Sequence, residues 1–262
     1  MSKYFFSILL LVSLSLSAQK QNEDKPLQPA DSTAAAAPMW VDKYGLRIGA
    51  DLNTLSRSVY DDGFRGLEVV ADYRLSKKFY AAAEAGNIKY TVDDYMVNFT
   101  ASGSYLKVGF DYNAYDNWLN EENMVYVGMR YGFSSFNQNL NSYKIYQNSA
   151  IGTDGSEDNV ALPNYFDQVT VQADRKYSGL SAHWIEFVGG AKVELFDNLF
   201  LGFNVHINVL ITQKKPEGFD NLYIPGFNRT YDGNFGAGFN YTLSYFIPLY
   251  KKQGAPAVKK AK

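Results

Sequence analysis

From Tyr44 onward the sequence keeps one rhythm, an apolar residue at every second position. Side chains of an extended strand point alternately to opposite faces, so this spacing predicts strands with one apolar face. Eight segments carry it, with apolar sets running Tyr44 to Leu52, Leu67 to Leu75, Phe79 to Ala85, Leu106 to Tyr112, Val125 to Phe133, Ile185 to Leu195, Phe203 to Ile211 and Phe235 to Ile247. No helical period is expected to compete with them.

In a soluble barrel or sandwich the apolar set faces inward and the polar set meets water. Here the polar set is rich in glycine and opposite charges, which suits a cramped, ion-paired interior. The apolar set is bulky, and aromatic near the strand ends, as in the interfacial girdles of membrane barrels. The connections are short at 76–78 and 196–198, middling at 113–123, and long at 53–64, 87–103, 137–180 and 213–231. Short turns at one end and long loops at the other, with an even strand number, predict an outer-membrane barrel whose termini are periplasmic and whose long loops are extracellular. The expected fold is therefore all-β, an eight-stranded antiparallel transmembrane up-and-down barrel. A ten-stranded barrel that recruits residues 137–180 as a hairpin is the alternative, and a soluble secreted barrel is the rival class.

The chain ends read differently from its middle. Residues 1–18 hold Lys3, an apolar run and a small residue at Ala18, the pattern of a cleaved secretory signal peptide. Residues 19–42 are rich in Gln, Pro, Ala and charge and read as a flexible periplasmic linker. The barrel is expected over 43–250, followed by a basic periplasmic tail at 251–262. With a net charge of -2 and a pI near 5.7 the chain lacks the basic footprint of a nucleic-acid binder.

Four segments, KYGLRIGAD (43–51), DYRLSKK (72–78), YLKVGFDYN (105–113) and MVYVGMRYGFSSF (124–136), resemble a Bacteroidetes-type outer-membrane β-barrel family of unknown function. The resemblance implies an outer-membrane location and no established activity. The segment YFIPLY (245–250) also resembles the aromatic-ended last strand that barrel-assembly machinery reads, here followed by lysines.

An eight-stranded lumen is narrow enough for side chains to fill, and buried charges must pair. By strand parity, Arg47, Arg74, Lys107, Arg130 and Lys192 face Asp51, Glu68, Asp72, Glu84, Asp111, Glu186 and Glu194 inside the barrel. This lumen charge network reads first as a structural plug and second as a narrow gated channel. His206 points inward and His183 sits at the outer rim, so a membrane-embedded hydrolase is a further alternative, although spacing fixes no carboxylate or nucleophile to either. No cofactor or metal motif is found, and the run Gly233 to Gly238 reads as a glycine-bearing strand, not a dinucleotide loop. The alternation within 142–146 and 168–173 predicts that the strands flanking loop 137–180 project as a hairpin, the first choice for contact with an extracellular partner. The expected partners are outer-membrane lipid and lipopolysaccharide, with the assembly machinery during biogenesis. The expected role is non-enzymatic: surface binding, adhesion or structure.

Overall fold

The computed structural model describes residues 41–115, 122–146, 168–228 and 234–253. The expected signal peptide, nearly all of the linker and the tail beyond residue 253 lie outside the described residues. Eight strands form one ring: β1 (Val41–Asp51), β2 (Phe64–Arg74), β3 (Phe79–Asp93), β4 (Val97–Asn113), β5 (Met124–Tyr146), β6 (Gln168–Phe196), β7 (Leu199–Gln213) and β8 (Phe235–Gln253). Each pairs antiparallel with its sequence neighbours, and β8 closes on β1 from Val41↔Gln253 to Asp51↔Thr242. The β5–β6 hairpin lengthens two ring strands and adds none, which excludes the ten-stranded alternative. No described helix is long and apolar enough to cross a membrane, a test that does not bear on strands.

The turns at 75–78 and 197–198 share a lower rim with the start of β1 and the end of β8, while the longest connections gather at the upper rim. The lower rim gains length from both ends of the chain: β1 takes in Asp42 from the expected linker, and β8 takes in Lys251 and Lys252 from the expected tail.

Below the upper third, the apolar set faces outward as expected. Leu67, Val108, Val127, Phe187, Val205 and Phe239 are between 46% and 59% exposed, while their polar neighbours are buried inside. The pattern then inverts. Along the register row Leu67↔Asn87↔Ser104↔Ser135↔Ser181 the outward face turns polar, and above it the inward face turns apolar. Phe64, Ile88, Val92, Phe99, Phe136 and Leu180 are buried in that upper core. The expected loop 87–103 therefore continues β3 and β4 to a turn at 94–96, paired from Asn87↔Ser104 to Asp93↔Asn98.

The β7–β8 connection folds into the upper mouth as a plug. Tyr223, Ile224 and Phe227 are buried there, with Phe227 edge-on to Trp184 at 5.8 Å and Tyr223 edge-on to Tyr90 at 5.0 Å. Gly132 makes room for the Trp184 indole, which any Cβ at that position would overlap. The plug turn closes through Ile224 N to Asn228 O at 2.9 Å, with Gly226 at φ +83, where a side chain would be strained. The buried Gln138 amide clamps the plug backbone, donating to Asp220 O and accepting from Leu222 N, both at 2.9 Å.

A helix, α1 (Leu52–Tyr60), occupies the expected loop 53–64 and corrects the reading that no helix competes. Asp51 caps it, accepting from the backbone N–H of Asn53 at 3.1 Å and of Thr54 at 3.0 Å. At nine residues it spans too few turns for its period to stand out from the flanking strands. It packs against β2 and β8, and the Arg57 guanidinium lies 4.2 Å from the Phe64 ring and 4.5 Å from the Tyr90 ring. Truncating Phe227 to alanine, which empties the centre of the plug, is expected to cost about 3–5 kcal/mol in denaturant unfolding. Lys215→Ala, on the exposed part of the same connection, should stay within about 0.5 kcal/mol.

Candidate functional site

The lumen beneath the plug is filled in layers. At the lower rim Arg74 bridges Asp42 at 3.3 Å and Glu122 at 2.9 Å and lies 4.9 Å from the Tyr44 ring. Burial pushes the Glu122 carboxyl up from its usual range, against the pull of Arg74. Sequence reasoning missed both acids, because Asp42 was assigned to the linker and Glu122 to a loop.

One layer higher, Asp72 pairs with Lys192 at 2.6 Å and with Arg47 at 3.6 Å. The Arg47 guanidinium is 4.3 Å from the Phe200 ring, which spreads its charge over an aromatic face. Above this runs a continuous ladder. Asp111 meets Arg130 at 2.7 Å, Arg130 meets Glu84 at 3.4 Å, Glu84 meets Lys107 at 3.1 Å, and Lys107 meets Glu186 at 3.2 Å. Lys107 and Glu186 are 2% and 1% exposed, so their charges have traded water for each other.

Of the twelve charged positions assigned to the network, nine thus join ion pairs. The other three are held differently: Glu68 accepts from the Tyr105 hydroxyl, Asp51 caps α1, and Glu194 accepts from the backbone N–H of Glu122 at 3.2 Å and of Asn198 at 2.9 Å. Each of these acids sits on the inward parity of its strand, and a nearby hydroxyl or amide, not a base, closes over it.

His206 is buried beside a cavity of about 70 Å³ whose lining includes Glu68, Tyr105, Lys107 and Asn240. Its Nδ1 has no hydrogen-bond partner among the described residues. His183 lies on the outer face, where its Nδ1 is 2.7 Å from the Tyr131 hydroxyl. Neither histidine is bonded to a carboxylate among the described residues, so the triad geometry of a nucleophilic hydrolase is not assembled around them. The described residues also include no group of three His, Cys, Asp or Glu side chains arranged to hold a metal ion.

The upper rim carries the remaining feature. The β5–β6 hairpin rises past the ring as expected, paired from Ser142↔Gln172 to Tyr146↔Gln168. Pairing of β6 with β7 begins at Ala182↔Gln213, with Lys214 N donating to Ser181 O at 2.8 Å, so among the described residues no strand covers the second edge of residues 168–180. That edge is kinked by left-handed backbone at Asp174 (φ 42) and Gly179 (φ 68). Between the hairpin and the β3–β4 turn lies a groove of about 340 Å³ lined by Asp93, Tyr95, Met96, Tyr143 and Lys144.

A family model described as Domain of unknown function (DUF6048) matches residues 1–252. No curated protein and no solved structure matches the chain. Replacing Lys107 with methionine strands Glu186 in the lumen, leaves Glu84 with Arg130 alone, and is expected to cost about 3–5 kcal/mol of folded stability, read by denaturant unfolding. Adding Glu186→Gln should restore a large part of that loss.

Proposed function

We propose, for a chain that belongs to the DUF6048 family, that the protein is an outer-membrane barrel whose upper end serves surface binding, adhesion or structure. The observation that carries this reading is the outward apolar belt and its abrupt upper boundary. On β7 the belt runs from Leu201 to Ile211. At ~3.3 Å per residue and a tilt of ~40° it stands about 25 Å tall, the height of the apolar band on membrane barrels. A soluble monomer rarely exposes an apolar patch larger than a few hundred Å², and a belt around a whole barrel is far larger. Aromatics and lysines mark its lower edge, with Phe79 edge-on to Tyr112 at 5.2 Å and Lys252 Nζ 5.5 Å from the exposed Tyr250 ring.

The short turns and both described chain ends at the lower rim support a periplasmic location for that rim. Strand β8 carries the aromatic segment Tyr245 to Tyr250 that resembles a last strand read by assembly machinery, and departs from it by running on through Lys251, Lys252 and Gln253. The filled lumen weighs against a channel, since three layers of paired charge and an apolar plug stand in its path. The unassembled histidines weigh against a hydrolase. The projecting hairpin, with its open edge and adjoining groove, favours contact with a partner outside the cell, because unpaired strand N–H and C=O groups can accept an added strand.

The chain has no cysteine, so single cysteines can report orientation. In intact cells a membrane-impermeant maleimide should label Lys176→Cys on the hairpin, and should label Lys77→Cys at the lower turn only after permeabilisation. Labelling of both only after permeabilisation would refute the surface assignment.

A further inference from the structure

One pair of cations sits where the belt ends. Arg65 on β2 and Lys89 on β3 are register partners on the outward face, one row above Leu67 and Asn87. Both are exposed. Side chains directly opposite on neighbouring strands have Cβ atoms about 5 Å apart, and like charges in that relation destabilise a sheet. Neither cation has an acid within ion-pair distance among the described residues. Asp61, the acid at the head of β2, is engaged by Arg57 at 3.2 Å.

The arginine is also preset. Its Nη1 donates to the backbone carbonyls of Phe64 at 2.8 Å, Ser58 at 3.0 Å and Asp61 at 3.3 Å, which holds the guanidinium against the α1–β2 corner. Ser102 pairs with Lys89 from the other side and adds a hydroxyl to the same row. The next outward row below holds the exposed Leu67 beside the hydrogen-bonded Asn87 and Ser104, and the exposed apolar side chains Leu106 and Val108 follow beneath it. Two uncompensated cations and a hydroxyl above an apolar floor match an amphiphile with a phosphorylated head and acyl chains.

We propose that Arg65 and Lys89 bind the phosphate monoester of a lipid headgroup in the leaflet facing the upper rim. This rests on the membrane reading above. The guanidinium can present two parallel N–H donors to a phosphate, and the lysine adds a point charge. The apolar floor favours a lipid-borne phosphate over the free ion, which would gain nothing from it.

The full chain is folded into vesicles of phosphatidylcholine alone and of phosphatidylcholine doped with phosphatidic acid, and the temperature at which the compact gel band is lost is measured. Phosphatidic acid should raise that temperature by a few degrees for the native chain, and the rise should vanish in Arg65→Gln/Lys89→Gln. Lys89→Gln alone, which disturbs no side-chain bond, should lose about half of it. Lys214→Gln/Lys215→Gln, removing two charges from the β7–β8 connection, should keep it. An equal rise in the native chain and the double variant overturns the site, as does an equal loss in the Lys214/Lys215 control. Inorganic phosphate giving the same rise with phosphatidylcholine vesicles overturns the lipid as ligand. Failure to form a compact band in any vesicle would refute the membrane reading itself and the site with it.

Discussion

The closure of β8 on β1 is the constraint from which the rest follows. An eight-stranded ring has no free edge along its wall and a lumen only as wide as its own side chains can fill. Every inward residue must then pack or pair, and every inward charge must find an opposite charge or a hydrogen bond within that narrow bore. The layers of Arg74, Arg47, Arg130 and Lys107 with their carboxylates are the outcome, and the apolar plug seals what remains. A bore filled in this way is a stiff scaffold for whatever its rim presents.

The second organising fact is that the same strands change polarity part-way along their length. Below the row Asn87–Ser104–Ser135 the outward face is apolar and the interior charged; above it the outward face is polar and the interior apolar. One strand thereby suits two surroundings, an apolar one outside the lower wall and water outside the upper wall. On the proposed reading this row marks the membrane surface. The Arg65–Lys89 pair stands immediately above it, where phosphate groups of a lipid leaflet would lie.

Much of this was legible in the alternation of residues. The eight strands, their antiparallel order, the outward apolar face and the projecting hairpin all follow from a period of two and the uneven connections. The upper halves of β3 and β4 were lost because their phase flips: Ile88, Tyr90 and Val92 are the inward residues there, while Asn87, Lys89 and Thr91 face out. Short α1 depends on one capping carboxylate, Asp51, which parity alone assigns to an ion pair. For Glu68 and Glu194, parity identifies the side of the wall but not the partner. That partner is set by register and turn geometry, which bring the Tyr105 hydroxyl to the one and the backbone amide of Asn198 to the other.

The central claim is that the outward apolar face meets lipid. The most direct measurement places nitroxide labels on single cysteines of the vesicle-folded chain and compares their collisions with dissolved oxygen and with a water-soluble nickel complex. Val108, Val127 and Val205 should collide mainly with oxygen, while Ser102 above the boundary and Lys176 on the hairpin should collide mainly with nickel. Nickel access at Val108, Val127 and Val205 equal to that at Lys176 would mean that water covers the belt, and would contradict the account.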